Sequence, residues 1–165
     1  MSIGNFIPFV IIGSLAKTIF FFLLWKIHFP KEFLGRTVAM DDGQRFTIFR
    51  HMTLKSGKSY SDHSMTVFRV RFKFAKLSHK ANKLTSLIPV FLIVAFPGFR
   101  DKIWMINENT GYWQGIYQWE SEDAVEKYKN SFVLGVMNKR AVPNSISYEI
   151  IPNTDLSEYI RQRLN

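Results

Sequence analysis

The chain has no cysteine, so disulfides, thiolate nucleophiles and cysteine metal sites are excluded. That composition suits a reducing compartment. No Asn-x-Ser/Thr sequon occurs, so there is no N-glycosylation acceptor. Nucleophile elbows, P-loops and dinucleotide fingerprints are missing too. The 9 glycines are too scattered to cradle a phosphate. His28, His51, His63 and His79 stand at no metal-ligand spacing from another His, Asp or Glu, so no metal site is expected. Acidic residues are few, 13 against 22 Lys and Arg, and the imbalance is local. Residues 26–83 hold 13 Lys/Arg and 4 Asp/Glu, which accounts for the whole net charge of +9. Residues 84–165 are close to neutral.

What is abundant is apolar and aromatic. Hydrophobic residues make up 47% and aromatics 16%, with 16 Phe, which excludes a disordered chain. A length of 165 residues allows one domain with a core and an appendage.

The appendage is N-terminal. Residues 6–25, FIPFVIIGSLAKTIFFFLLW, carry one charge, Lys17. A helix of this length spans roughly 30 Å, the thickness of a bilayer core. A central Lys costs about 2.5–3.5 kcal/mol. Its apolar neighbours, at about −0.3 to −0.6 kcal/mol each, outweigh it. A cleaved signal peptide would need a basic start and a small-residue cleavage site, and neither MSIGN nor WKIHFPKEF supplies one. A buried helix is the other alternative. The pattern favours an uncleaved, single-pass anchor. The basic residues that follow it place the C-terminal domain in the cytoplasm. This basic collar would also attract anionic lipid, and nucleic acid is the less favoured partner because no nucleic-acid motif is present. His28 is expected at the membrane interface.

Beyond the collar the periodicities are clear. MTVFRVRFKFAKL (65–77) alternates, with Phe68, Val70, Phe72 and Phe74 on one face and Arg69, Arg71 and Lys73 on the other, a strand. RFTIFRHMTL (45–54) is a weaker extended candidate, and 55–64 is loop by composition. Residues 81–96 favour a helix packed on a sheet over a re-entrant or membrane-resting segment, and Pro89 fits a helix only in its first turn or at a kink. DKIWMIN (101–107), the ENTG turn and YWQGIYQWE (112–120) form a hairpin. Gly115 suggests a bulge or a close ligand approach. Ser121 caps a helix over 122–138 whose stripe is Val125, Tyr128, Phe132 and Val136. SISYEII (145–151) is a fourth strand. Asp155 and Glu158 make a capping-box spacing before a short helix bearing Leu156, Tyr159 and Ile160. Arg100 and Asp101 are expected to form a surface pair.

The order is β-α-β-β-α-β. The predicted fold class is α+β, a ferredoxin-like domain with a four-stranded antiparallel sheet and helices on one face, preceded by one transmembrane helix. A second copy is the simplest cover for the other face, giving a homodimer through the sheet. The expected organisation is an anchor (1–30), a basic juxtamembrane segment (31–64), the ferredoxin-like domain (65–152) and a C-terminal short helix (153–165).

The stretch FPGFRDKIWMINENTGYWQGIYQWESEDAVEKYKNS (96–131) resembles the dimeric α/β-barrel proteins of the antibiotic-biosynthesis monooxygenase superfamily, in particular its YdhR-like branch. The matching features are Pro97-Gly98, Lys102, Trp104, Thr110-Gly111, Gly115, Tyr117, Trp119-Glu120-Ser121, Ala124 and Tyr128. The resemblance implies a pocket between sheet and helices. It also implies an Asn, a Trp and a His or Arg around an aromatic substrate that itself activates oxygen, with no cofactor required. Haem-degrading relatives exist, but nothing in the sequence indicates haem. Asn107 and Trp104 are the catalytic candidates, although three positions apart on a strand they face opposite ways. Trp113, Tyr117, Trp119 and Tyr128 are the candidates for a ligand-binding pocket, with core or dimer interface as the competing use. The function expected is that of a membrane-anchored oxygenase acting on a lipophilic aromatic or isoprenoid small molecule. A non-catalytic module binding lipid or protein at the cytoplasmic membrane surface is the alternative.

Overall fold

A computed structural model describes residues 26–55, 65–75, 79–86 and 88–164, together with positions 13, 16, 19 and 20. Apart from those four positions, the expected span 6–25 lies outside the described residues, as does His63. Among the described residues, no helix is long and apolar enough to cross a membrane.

The strands are β1 (Ile27–His28), β2 (Thr37–Ala39), β3 (Arg45–Leu54), β4 (Thr66–Lys73), β5 (Phe99–Asn107), β6 (Tyr112–Trp119) and β7 (Ser147–Ile151). The helices described are α1 (His79–Thr85), α2 (Ile88–Ile93), α3 (Glu122–Lys129), α4 (Phe132–Lys139) and α5 (Leu156–Arg161). All strand pairs are antiparallel, in the order β1-β3-β5-β6-β4-β7 with β2 beside β3. From β4 to β7 this is the ferredoxin-like arrangement: the first strand lies between the third and the fourth, and the second strand flanks the third. The sheet does not end there. Strand β3, the weaker candidate, adds itself to β5 and brings β1 and β2 with it.

Alternation sorts the side chains. Phe68, Val70, Phe72, Trp113, Tyr117 and Trp119 point to the helix side and pack with Val90, Ile93, Val125 and Tyr128. Two irregularities shift the pattern by one residue, which turns every later side chain to the other face. One lies between Phe99 and Asp101. The other lies between Ile48 and Arg50, so that Phe46 and Ile48 serve one core and Met52 the other. Gly115 causes no bulge, because its register with Val70 and Trp104 is unbroken.

The face expected to await a second copy is covered within the chain. Helix α5 lays Leu156, Tyr159 and Ile160, all buried, over Val67, Ile103, Met105 and Ile116, and Phe33 and Val38 extend this second core. Asp155 caps α5 as its spacing predicts, accepting a hydrogen bond from the Glu158 N–H at 2.9 Å. Any second copy therefore meets this layer rather than a bare sheet. The cover also buries Arg71, which the alternation alone assigns to solvent.

Two expected helices are interrupted. Residues 81–96 give α1 and α2, with Pro89 in the first turn of α2, where its missing N–H costs nothing. The expected 122–138 helix breaks at Asn130-Ser131 because Ser131 caps a new start, accepting from the Leu134 N–H at 3.4 Å. The break turns Val136 outward, at 53% exposure, out of the predicted buried stripe. Gly98 holds φ +84°, and a Cβ there would meet the Ala124 Cβ at 2.7 Å, so only glycine fits where β5 begins beneath α3.

Candidate functional site

A cavity of about 120 Å³ lies between the helix-covered face of the sheet and the helices. Strand β5 contributes Lys102 and Trp104, β6 contributes Trp113 and Tyr117, and α3 contributes Tyr128. Helix α4 adds Val133, Val136 and Met137, and the exposed Val136 marks where the cavity meets the surface.

Lys102 is the unusual member. Strand parity puts it on the same face as Trp104, two residues on. Its side chain is buried, at 3% exposure. The Nζ sits 4.3 Å from the centroid of Trp104 and 4.3 Å from that of Tyr117. It makes no hydrogen bond or ion pair among the described residues, and no carboxylate lines the cavity. Burial, reinforced by the charge of Arg50, holds the amine well below the usual lysine range. The physical balance agrees with this direction. A buried ion costs several kcal/mol, whereas a ring face returns about 0.5–2 kcal/mol. Both terms favour the neutral form of the amine over the charged one.

Arg50 stands close by because of the irregularity at Ile48/Arg50. Its guanidinium lies 5.8 Å from the Trp104 ring centroid and donates to the Lys83 carbonyl at 3.1 Å and to the Ser86 Oγ. It thereby ties down the C-terminal end of α1, whose last carbonyls lack helical partners. Arg140, also in the lining, lies 5.1 Å from the Phe74 centroid. Burial raises the Tyr117 hydroxyl above its usual range, and burial with the adjacent Tyr117 raises Tyr128. Both remain protonated phenols. The Tyr128 hydroxyl is fully buried, with the Tyr117 hydroxyl as its polar neighbour.

The structure brings together four of the six sequence candidates: Trp104, Trp113, Tyr117 and Tyr128. Trp119 lies outside the lining. It is completely buried and packs against Tyr128 at 4.9 Å and Phe99 at 5.5 Å, the core use weighed for these aromatics. Asn107 is not at the cavity. It ends β5, and its side-chain oxygen accepts from the N–H groups of Asn109 and Thr110, both at 3.1 Å, which shapes the hairpin turn. Arg100 and Asp101 do not form a surface pair either, because successive strand residues diverge. Arg100 pairs with Glu120, and the Asp101 carboxylate is buried against His51 Nε2 at 3.0 and 3.2 Å. His28 lies in β1 opposite Thr53.

Lys102, one of the features that carry the resemblance, was not among the site candidates, although its spacing from Trp104 was a usable signal. Among the described residues, no group of His, Cys, Asp and Glu could hold a metal ion. Haem requires an axial ligand such as His, Cys, Met or Tyr. The cavity lining holds no His or Cys and its tyrosines are held protonated by burial, which leaves Met137 among the described residues of the lining. A space of about 120 Å³, below the roughly 150 Å³ that holds a benzene, does not fit haem.

No curated protein matches the chain. Among solved structures, it is similar to Rv0793 from Mycobacterium tuberculosis, with 14% identity over 56% of this chain and 97% of that one, at a TM-score of 0.45. It is similar to a major regulator of staphylococcal pathogenesis, with 12% identity over 71% and 72% of the two chains, at 0.49. A monooxygenase-like protein from Listeria innocua gives 12% identity over 71% and 68%, also at 0.49. Residues 65–156, from the approach to β4 to the start of α5, match one family model. That match spans more than half of the sequence, and the chain belongs to the family described as "Putative mono-oxygenase ydhR".

Proposed function

We propose that the chain is a cofactor-independent oxygenase that takes an electron-rich, lipophilic aromatic compound into the sheet–helix cavity, where the compound itself supplies electrons to dioxygen. The observation that carries this reading is the lining, in which Trp104, Trp113 and Tyr117 surround a buried Lys102 and no carboxylate intrudes. Rings orient a flat substrate by stacking and edge contacts. The cationic surroundings, Arg50 and Arg140, favour the electron-rich anion over the neutral molecule. Trp104 is the member of the proposed catalytic pair that lies in the cavity.

Size limits the substrate. A dry cavity of roughly 150 Å³ accommodates a benzene. At about 120 Å³ this one is smaller, so it takes no more than a single ring, with any substituent or isoprenoid tail leaving past Val136. The reading includes a tether at the cytoplasmic membrane surface, supported by the apolar stretch 6–25 and by Ile19 and Phe20, helical and exposed at 56% and 55%. A lipophilic substrate could then pass from bilayer to cavity directly.

Full-length protein purified in detergent is mixed with monocyclic hydroquinones in an oxygen electrode. Uptake above the uncatalysed rate is expected, with quenching of tryptophan fluorescence as the ring enters. Quenching without uptake would reduce the protein to a binding module, and neither signal would overturn the reading altogether.

A further inference from the structure

We propose that Lys102 is the proton acceptor and charge partner of the cavity's ligand, a single-ring aromatic with an acidic hydroxyl that is held as its phenolate. The inference rests on the reading of this cavity as the substrate site and names the class of ligand it takes.

Three independent observations converge. First, the Lys102 Nζ has no hydrogen bond or ion pair among the described residues, although the side chain is 3% exposed, and lysines are rarely buried unless paired. Second, the rings of Trp104 and Tyr117 both present their faces to that nitrogen at 4.3 Å. A ring face offers little to a neutral amine and more to an ammonium, so this geometry suits the protonated form that the empty cavity disfavours. Third, the other charged groups around the cavity are Arg50 and Arg140, both cationic, while Tyr117 and Tyr128 stay neutral.

A ligand hydroxyl supplies what is missing. Its proton moves to the amine, the O–H bond breaks, an N–H bond forms, and a phenolate–ammonium pair replaces two neutral groups. No oxidant or reductant takes part. The pair is shielded from water, where a charge-assisted hydrogen bond is strong, and the two ring faces then stabilise the ammonium. Burial and the charge of Arg50 both pull the amine below the usual lysine range, toward the range in which an amine serves as a base.

The test uses the full chain in detergent, without oxygen, with 4-nitrophenol, whose phenolate is yellow, and 4-nitroanisole, its methyl ether. At a pH below the probe's own pKa, wild type is expected to bind 4-nitrophenol and turn it yellow. Lys102→Met is expected to bind it about thirtyfold more weakly or worse and without colour, while 4-nitroanisole binds both proteins alike. Probe bound colourless to wild type, no binding at all, or an equally yellow complex with Lys102→Met would each overturn the proposal. Should Lys102→Met not fold, lysine ¹³C NMR of wild type decides. A Lys102 signal that becomes protonated on saturation with 4-nitrophenol is expected, and an unchanged one refutes it. Yellow binding with no oxygen uptake for any hydroquinone would leave this inference standing and end the oxygenase reading. Undiminished uptake by Lys102→Met would do the reverse.

Discussion

Beneath α5, the sheet buries Arg71, Gln114, Gln118, His51 and Asp101, and each meets a protein partner. Arg71 reaches Asp42 and donates to Gln114 Oε1 at 2.8 Å, while Gln118 donates to the Thr66 and Thr154 carbonyls and accepts from the Leu156 N–H. On the opposite face, beneath α1–α4, the same sheet buries Lys102 between two rings with no such partner among the described residues. A buried polar group is costly unless it is answered. The first face links these five side chains to one another and to the backbone, while His51 Nδ1 and the Tyr159 hydroxyl stay unpaired among the described residues. The second leaves the Lys102 amine with no hydrogen bond among the described residues beside an open space. The difference sets architecture apart from the cavity proposed as the ligand site.

The sharpest way to break this contrast is to make the closed face resemble the open one. In His51→Ala the Asp101 carboxylate loses its partner while still buried. Removing one member of a buried pair costs about 3–5 kcal/mol. Burial already holds the Asp101 carboxyl above its ordinary 3.8, with His51 pulling it down. As pH rises from that ordinary value, the unfolded chain releases the proton first, so this group's contribution to stability falls until the folded carboxyl also ionises. Without His51 the fall extends to higher pH. Denaturant titration should therefore show the full loss near neutrality and only the packing loss near pH 4. A loss independent of pH would mean that the pair is not ionic.

The converse change makes the open face resemble a core. Lys102→Met keeps the length and removes the amine. The lowered lysine means that, from its folded value up to 10.5, the unfolded chain binds a proton that the folded chain does not. Stability contributed by this group then rises with pH across that window, and below it the fold carries the full cost of a buried charge. Met removes both effects. A gain of about 1–3 kcal/mol near neutral pH is expected, the scale of an unsatisfied buried polar group, together with a flatter stability profile above it. A residue whose removal strengthens the fold while abolishing phenolate binding would be there for the ligand. A loss of stability would make Lys102 structural.

Much of this contrast was legible in the residues. The alternation of β4 and β6 gave the apolar face, and the strand–helix order from β4 to β7 followed from periodicity and turn chemistry. Asp155 announced α5. What α5 covers was not legible, because a six-residue amphipathic helix does not say which surface receives it. The irregularity at Ile48/Arg50, which sends Arg50 toward the cavity and His51 to the other face, left no mark in the alternation. The split at Asn130-Ser131 was present as a serine N-cap within an apolar pattern, and the periodicity concealed it. Asn107 looked catalytic from its family setting, yet an Asn three residues before Thr110 is equally a turn former, and the local backbone claims it. Lys102 was seen only as a feature of the family resemblance and given no role in a site. Its parity with Trp104 pointed inward.

The smallest expected effect probes how much room the open face has. A Cβ at Gly115 would meet the Tyr117 ring at 3.0 Å and its hydroxyl oxygen at 3.2 Å. In a close-packed core such an intrusion costs about 1–3 kcal/mol, because no neighbour can yield. Here Tyr117 borders empty space, and the ring can give way by a few tenths of an ångström into it. Gly115→Ala should therefore cost less than about 1 kcal/mol by thermal or chemical denaturation. The displaced ring would occupy volume that a ligand needs and would move off Lys102, so 4-nitroanisole and 4-nitrophenol should both bind more weakly. A large stability loss with unchanged probe binding would instead mean that Tyr117 is fixed as rigidly as the residues under α5, and that the ring-sized space lies elsewhere along the helices.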